Sequence, residues 1–242
     1  MKKKFSGDAL VVLSGGQDSA TCLGVARRDF PDAGIHAITF EYGQRHWVEV
    51  ECAQTVGKIF GVESHKIVKA PSLLEVSGDS DLLKSGSNFS TDKKTGLPTS
   101  VVYGRNLIFL TLAAAYARSL NIRTIYTGVC QTDYSGYPDC RDDTIKALQV
   151  AINLGMDSQI EIRTPLMYMT KAESVKLAGI LGVLNLLEYT NTCYNGVKGG
   201  CGTCPACKLR DKGFTEAGFI DPLWKHRTGN KNSNGSPISK TI

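Results

Sequence analysis

Six consecutive residues near the start of the chain have the types and spacing needed to bind an anion. They are Ser14-Gly15-Gly16-Gln17-Asp18-Ser19, and they follow the apolar run Ala9-Leu10-Val11-Val12-Leu13. A buried strand that ends in paired glycines and enters a helix leaves backbone N–H groups uncovered beside the positive end of the helix dipole. We expect Asp18 and Ser19 to cap that helix, over 21–28, and the loop to hold a phosphate. An ordinary strand–turn–helix joint is the alternative.

The spacing of this loop excludes two common nucleotide-binding motifs. No Gly-Lys-Ser/Thr follows, as the Walker loop requires, and the third glycine of the dinucleotide fingerprint is missing. The string Ser-Gly-Gly-x-Asp-Ser instead resembles the pyrophosphate loop of the ATP pyrophosphatases, which split ATP into AMP and pyrophosphate.

Four cysteines lie close together near the C-terminal end: Cys193, Cys201, Cys204 and Cys207. Glycine-rich connections let four thiolates surround one ion, and tetrahedral zinc, with Zn–S distances of about 2.3 Å, is the expected occupant. The Cys-x-x-Cys-x-x-Cys run also partly matches an iron–sulfur motif, although the fourth cysteine followed by proline is missing. Because four thiolates leave no open coordination position, we predict a structural site.

Further candidate binding residues follow predicted strands or open a predicted helix. The segment 128–141 combines aromatic, acidic and arginine side chains, which suit a flat heterocycle, although a plain surface loop is the alternative. Arg105 opens a helix, where an anion is favoured. The candidate substrate contacts are Arg105, Asp133, Tyr137, Asp139 and Arg141. After the second strand, Arg45 could pair with a phosphate or carboxylate, and His46 could transfer protons or be a structural histidine.

Strands and helices that alternate along the chain must position these residues. We predict strands over 10–13, 35–40, 65–68, 124–128 and 160–162, and helices over 21–28, 48–60, 107–120, 144–154 and 170–181. Such alternation predicts an α/β fold with a doubly wound, Rossmann-like parallel sheet. Ligands of such sheets bind beyond the strand C-termini, where the glycine loop lies. The segment 71–103 breaks the alternation and is either a lid over the site or a passive insertion.

Composition and charge narrow the domain organisation and the partners. We predict an ATP-binding α/β domain over 1–185, a zinc-binding region over 186–222 and a disordered tail over 223–242. Four of the five net positive charges lie in that tail, so a broad nucleic-acid-binding face is not expected. No apolar stretch is long enough for a membrane helix, and the N-terminus lacks the apolar run of a signal peptide. We therefore predict a cytoplasmic protein, expected to be a homodimer.

The motifs occur in an order that resembles the 7-cyano-7-deazaguanine synthases of queuosine biosynthesis. They are the glycine loop, Tyr-Gly-Gln-Arg-His, Gly-Arg-Asn, Asp-Tyr-Ser-Gly-Tyr-Pro-Asp-Cys-Arg and the cysteine cluster. The resemblance spans about residues 9–210. It implies an adenine nucleotide alpha hydrolase-like fold and a ligase that uses ATP and ammonium to convert 7-carboxy-7-deazaguanine to the nitrile, through an adenylated carboxylate and an amide.

The resemblance also implies roles for individual residues. Asp18 and Ser19 would be catalytic, with Asp18 helping to hold Mg²⁺, and the four cysteines would hold Zn²⁺. Arg105 is predicted to be catalytic from its position at the start of a helix and its charge, not from the resemblance. ATP would contact Leu13, Ser14, Gly15, Gly16, Gln17, Asp18, Ser19, Ala20, Thr21, Cys22 and Leu23. Where the family often has Phe-Val-Pro before Gly-Arg-Asn, this chain has Val101-Val102-Tyr103, which could reshape the mouth of the site.

Two rival functions remain open at this stage. The first is a pyrophosphate-loop enzyme that thiolates or ligates a tRNA base, which would need a tRNA-binding face that the charge distribution does not favour. The second is a non-catalytic zinc module that binds nucleic acid through the cysteines and the basic tail. That second function leaves the glycine loop unexplained.

Overall fold

Five parallel strands form the central sheet of the protein. The structure, a computed structural model, describes residues 7–43, 48–70, 73, 75, 80–82, 89–132 and 137–223. The strands are β1 (Ala9–Val12), β2 (Ile35–Glu41), β3 (Ser64–Lys69), β4 (Thr124–Tyr126) and β5 (Glu161–Arg163). Their order is β3-β2-β1-β4-β5, and all neighbours are parallel. The direction of winding reverses between β1 and β4, which confirms the predicted doubly wound sheet.

Helices cover both faces of this sheet. They are α1 (Gln17–Asp29), α2 (Val48–Phe60), α3 (Arg105–Ser119), α4 (Asp142–Gly155), α5 (Lys171–Ile180) and α6 (Pro205–Ala217), with 3-10 turns at Pro138–Cys140 and Leu184–Tyr189. One apolar core lies between the sheet and α3 and α4, and the other packs the opposite face against α1, α2 and α5. Successive residues of β1 point into different cores, Leu10 into the first and Val11 into the second. A strand buried on both faces accounts for the continuous apolar run in the sequence.

The start of α1 differs from the sequence prediction. The helix begins at Gln17 rather than at residue 21, its N-cap is Gly16, and no side chain caps it. The prediction that Asp18 and Ser19 cap the helix was therefore wrong. Both residues lie inside the first turn, where the Ser19 hydroxyl donates back to the Gly16 carbonyl at 3.0 Å. A glycine cap leaves the N–H groups of this turn open to a ligand.

Two later helices show what the sequence reasoning recognised and what it missed. Helix α5 begins with the predicted capping box, in which Thr170 and Glu173 bond each other's backbone N–H groups. Helix α6 was not predicted, although Pro205 occupies its first turn and the Cys204 thiol caps it. None of the helices in the described part of the chain is long and apolar enough to span a membrane.

Only part of the segment 71–103 is described. Thr91 and Pro98 form an antiparallel bridge, and the Asp92 carboxylate accepts the backbone N–H groups of Lys94 and Thr95 inside it. The Leu82 side chain lines the cavity described below. The function of this segment as a lid stays a prediction.

Candidate nucleotide and substrate site

The glycine loop is fixed by close backbone contacts after β1. Gly15 has a φ of +87°, and a Cβ atom there would come within 2.1 Å of the Glu49 carbonyl oxygen. Gly128, after β4, lies against α1, since its Cβ would be 2.9 Å from the carbonyl carbon of Asp18. The Asn191 backbone N–H donates to the Gly15 carbonyl at 2.9 Å. The loop is therefore held in one shape by α2, β4 and the chain that precedes the cysteine cluster.

A cavity of about 320 Å³ opens beside this loop. Its walls come from three parts of the fold, which are the loop, the first turn of α3 with nearby aromatic rings, and the chain around Cys193. The loop residues that line it are Leu13, Ser14, Gly16, Gln17, Asp18 and Ser19. The cavity lies at the C-terminal ends of β1 and β4, which is the switch point where ligands of such sheets bind.

Asp18 forms an ion pair that the sequence reasoning missed. The Lys171 ammonium donates to Asp18 Oδ2 at 2.8 Å, and the Lys171 side chain is only 10% exposed. Both residues line the cavity, and the second carboxylate oxygen, Oδ1, is buried without a hydrogen-bond partner. A carboxylate and an ammonium beside an uncapped helix N-terminus can serve a metal-bound phosphate chain. The only sequence signal for Lys171 was its position at the start of a capped helix.

Arg105 lies in an aromatic wall across the cavity from the loop. Its guanidinium donates to the Tyr42 hydroxyl at 3.2 Å and lies 5.8 Å from the Tyr42 ring centre and 6.0 Å from that of Tyr137. Phe109 packs against Tyr42 at 5.2 Å and stacks on Phe40 at 4.3 Å. Burial opposes the charge of Arg105, but the neighbouring tyrosines outweigh it and raise the arginine pKa. The wall offers flat apolar surface and one fixed cation.

Glu49 is a second site residue that the sequence reasoning missed. It lies in the first turn of α2 and lines the cavity between the loop and Arg105. Burial raises the pKa of its carboxyl group to about 7, although the nearby Arg105 opposes the shift. A carboxyl group with this pKa exists in both protonation states near neutral pH and can exchange protons with a ligand.

The four predicted metal ligands come together as expected. Their sulfur atoms lie within 4.8 Å of one another, and the Cys201 and Cys207 sulfurs are 3.9 Å apart. Tetrahedral Zn–S geometry places sulfurs about 3.8 Å from each other, whereas a disulfide needs about 2 Å. The donor set and spacing therefore fit one metal ion. Cys193 and the adjacent Tyr194 also line the cavity, so the cluster borders the candidate site.

Several predicted contacts do not line the cavity. Ala20, Thr21, Cys22 and Leu23 are buried in α1, where burial raises the pKa of the Cys22 thiol. They contribute to the core that supports the loop.

Of the segment 128–141, only part reaches the cavity. Tyr137 lines it and hydrogen-bonds the Ser100 hydroxyl at 2.7 Å. Asp139 instead accepts the Asn106 backbone N–H at 2.9 Å, which satisfies the first turn of α3. Arg141 is exposed at the N-cap of α4. Asp133, Arg45 and His46 lie outside the described residues.

Comparisons with known proteins identify one family. The family model described as "Queuosine biosynthesis protein QueC" matches residues 8–218. A relative from Chromobacterium violaceum, named 7-cyano-7-deazaguanine synthase, is 50% identical over 89% of this chain and 92% of its own length. A relative of the same name from Laribacter hongkongensis is 49% identical over 91% of this chain and 96% of its own. These matches confirm the family resemblance.

Solved structures resemble the chain only distantly. A 4-thiouridine synthetase–RNA complex with bound ATP gives a TM-score of 0.48 at 19% identity, over 88% of this chain and 50% of that one. The U34-tRNA thiolase NcsA from Methanococcus maripaludis gives 0.44 at 16% identity, over 93% and 69%.

Proposed function

Since the chain belongs to the queuosine biosynthesis protein QueC family, we propose that it makes 7-cyano-7-deazaguanine from 7-carboxy-7-deazaguanine, ammonia and ATP. The observation that supports this proposal most directly is one cavity, which is lined by an uncapped helix N-terminus, the Asp18–Lys171 pair and the aromatic wall around Arg105. It provides a place for a phosphate chain next to a place for a flat heterocycle, as the transfer of AMP to a heterocyclic acid requires.

The phosphates of ATP belong at the glycine loop in this proposal. The N–H groups of the first turn of α1 would donate to the pyrophosphate, and the Ser14 and Ser19 hydroxyls lie beside them. Lys171 would shift from Asp18 to a phosphate oxygen, leaving the Asp18 carboxylate for Mg²⁺. When bound, Mg²⁺ offsets the charge that develops on the leaving pyrophosphate. The unpartnered Asp18 Oδ1 fits this ligand.

The deazaguanine ring belongs against the aromatic wall. Tyr42, Phe109 and Tyr137 offer stacking surface, and Arg105 supplies a cation for the carboxylate. The reactive carboxylate would then lie between Arg105 and the loop, on the path to the α-phosphorus. Glu49 lies on the same path and can accept the protons that are released.

The reaction consists of two activations. A carboxylate oxygen attacks the α-phosphorus, and the bond to pyrophosphate breaks. Ammonia attacks the acyl carbon, AMP leaves with its oxygen, and loss of one proton gives the amide. The amide oxygen then attacks a second α-phosphorus, again releasing pyrophosphate and one proton. Loss of AMP and a second proton from nitrogen leaves the nitrile. Adenylation is needed because a carboxylate and an amide each lack a good leaving group.

The cysteine cluster would hold Zn²⁺ and stabilise the region from Cys193 to α6. The four cysteine sulfurs then fill all four coordination positions of the ion. The ion therefore has no open position for a substrate and takes no part in the chemistry. The α/β domain, the region of the cysteine cluster and the lid segment 71–103 are proposed as separate functional units. We propose that the protein works in the cytoplasm and has no nucleic-acid partner. Light scattering can test whether it forms the expected homodimer.

The direct test follows products by mass spectrometry. Purified protein is incubated with 7-carboxy-7-deazaguanine, ATP, Mg²⁺ and ammonium, and we expect a product with the mass of the nitrile together with AMP and pyrophosphate. A folded, metal-loaded protein that forms no nitrile from this acid would overturn the proposal. ADP in place of AMP would overturn the adenylation step alone.

A further inference from the structure

One end of the cavity contains every buried side-chain nitrogen and oxygen atom that lacks a hydrogen bond in the described part of the chain. Six buried side-chain nitrogen or oxygen atoms there lack a hydrogen bond, and they belong to Gln17, Asp18, Asn191 and Thr192. All four residues line the cavity. Gln17 and Asn191 are 2% and 1% exposed, so bulk water does not solvate them. Buried polar groups in folded proteins are nearly always paired, so this concentration points to a bound partner.

The types of the unpartnered atoms restrict that partner. Gln17 and Asn191 each present an unpaired carbonyl oxygen and an unpaired NH₂ group, and Thr192 adds a hydroxyl. A phosphate accepts hydrogen bonds only, and an ammonium or metal ion cannot pair with the NH₂ groups. A group that both donates and accepts would satisfy the set, and a carboxamide does so.

The position of the set restricts the partner further. Gln17 is the first residue of α1, directly after the glycine loop. Thr192 Cγ2 lies 3.4 Å from where a Cβ of Gly16 would be, and the Asn191 backbone bonds the Gly15 carbonyl. The set therefore touches the loop proposed for the phosphates. The part of the substrate nearest the phosphates is the group that becomes adenylated.

We propose that Gln17, Asn191 and Thr192 bind the reacting substituent of the substrate, first as carboxylate and then as carboxamide, an inference that rests on the proposed function. The NH₂ groups and the hydroxyl donate to the carboxylate in the first activation. In the second, the Gln17 or Asn191 carbonyl accepts from the substrate NH₂ group. That contact turns the carboxamide oxygen towards the loop, where it attacks phosphorus. One neutral subsite thus serves both activations.

The test uses substitutions that remove polarity and keep volume, namely Gln17→Met, Asn191→Leu and Thr192→Val. None removes a hydrogen bond from the free protein, so the melting temperature should stay the same or rise. The matched controls are Gln149→Met and Asn153→Leu. Their side chains accept the backbone N–H groups of Ile162 at 2.6 Å and Ile160 at 2.7 Å. The controls should melt at lower temperature and keep their substrate KM.

Three kinetic measurements separate the possible ligands. Conversion of synthetic carboxamide to nitrile should lose up to about tenfold in kcat/KM in Gln17→Met or Asn191→Leu, since one buried neutral hydrogen bond corresponds to roughly that factor. Carboxylate-dependent ATP–pyrophosphate exchange should fall less, because a carboxylate needs no acceptor. The KM for ATP should not change. Thr192→Val, which is isosteric, should lower the carboxylate-dependent exchange, and it keeps the test valid if the other two replacements fail to fold.

Other outcomes would overturn the inference. A raised KM for ATP alone would make the set a nucleotide contact. Equal losses of activity with the carboxylate and the carboxamide would mean that Gln17, Asn191 and Thr192 contact a part of the substrate that does not change in the reaction, namely the lactam edge of the heterocycle. Unchanged kinetics in all three variants would leave the set without a substrate role. Absence of exchange in the unsubstituted protein would instead overturn the proposed function, and the inference with it.

Discussion

The glycine loop and the cysteine region border the same cavity but differ in how their polar groups are paired. In the cysteine region, Arg210 lines the cavity, and its guanidinium donates twice to the Asp221 carboxylate, at 2.6 and 2.8 Å, and also to Thr190 and the Leu187 carbonyl. Both side chains of this ion pair are almost fully buried. At the loop, by contrast, Gln17 and Asn191 are equally buried and unpaired.

The hydrogen-bonded buried side chains stabilise the fold, whereas the unpaired ones can bind a ligand. A buried charge whose nitrogens all make hydrogen bonds fixes the chain around it, and its removal leaves the partner uncompensated. A buried amide with no partner lowers stability, and a ligand recovers that loss when it binds. Substitutions in the cysteine region should therefore affect stability first, whereas those at the loop should affect activity first.

Removal of the metal should have the largest effect. Structural zinc contributes on the order of 10 kcal/mol to the folding of small metal-binding units. A strong chelator should therefore release one equivalent of metal and unfold α6, which begins at the cluster. Hydrogen exchange should show new exchange over Pro205–Ala217 while β1 and β2 remain protected. Uniform exchange across the chain would contradict a local role.

Asp18→Asn should strongly reduce activity without unfolding the protein. The change removes the proposed Mg²⁺ ligand and the charge that pairs with Lys171, and we expect a loss of about 100- to 1000-fold in kcat. The control is Asp29→Asn, since the Asp29 carboxylate pairs with Tyr126 and Arg163, outside the cavity. Equal activity losses in both variants would remove the distinction between the two carboxylates.

Asp221→Ala should reduce stability more than any single loop substitution. It leaves the Arg210 guanidinium buried without its carboxylate partner, which costs about 3–5 kcal/mol. Urea titration should show this loss, while residual folded protein keeps its KM for ATP. The double replacement Arg210→Met with Asp221→Leu should recover most of the stability, because it leaves no unpaired charge. Failure to recover would point to a role for Arg210 in the cavity.

The smallest effect should be a pH dependence at the start of the loop. The Thr39 hydroxyl donates to the Leu13 carbonyl and lies 2.7 Å from His65 Nε2. Burial lowers the pKa of His65, so the neutral ring is the stable form in the fold. Stability from this group is present above its unfolded pKa and is lost as the pH falls through the folded pKa, below about 6.5. Between pH 7 and pH 5 the melting temperature of His65→Gln should therefore fall less than that of the wild type, because the variant lacks this contribution.

Local patterns sufficed for most of the fold. The five strands were predictable because apolar runs such as Ala9–Leu13 alternate with amphipathic helices, and Thr170 with Glu173 marked the start of α5. Helix α6 was missed because five of its thirteen residues are charged and its only large apolar residues are Leu209 and Phe214. Gly213 is needed there because a Cβ would come within 2.5 Å of the Lys171 side chain.

The site was predictable only in part. The glycine loop and the four cysteines are compact in sequence, so their spacing alone indicated a phosphate loop and a metal site, and the family followed from their order. Asp139 resembled a ligand contact by type, but its carboxylate bonds the first turn of α3. Only the fold could show this, because type and spacing do not reveal what a side chain faces.

The family, the parallel sheet, the anion loop and the cluster of thiols could be read from the chain alone, since each depends on local motifs or on the order of those motifs along the chain. The tertiary structure alone paired Lys171 with Asp18, 153 positions apart. It also brought Asn191 and Thr192 beside Gly16, and Glu49 into the cavity with Arg105. The physical reason is that pairing, burial and the resulting shifts in pKa depend on distance in space, which only the packing of the two cores against the sheet establishes.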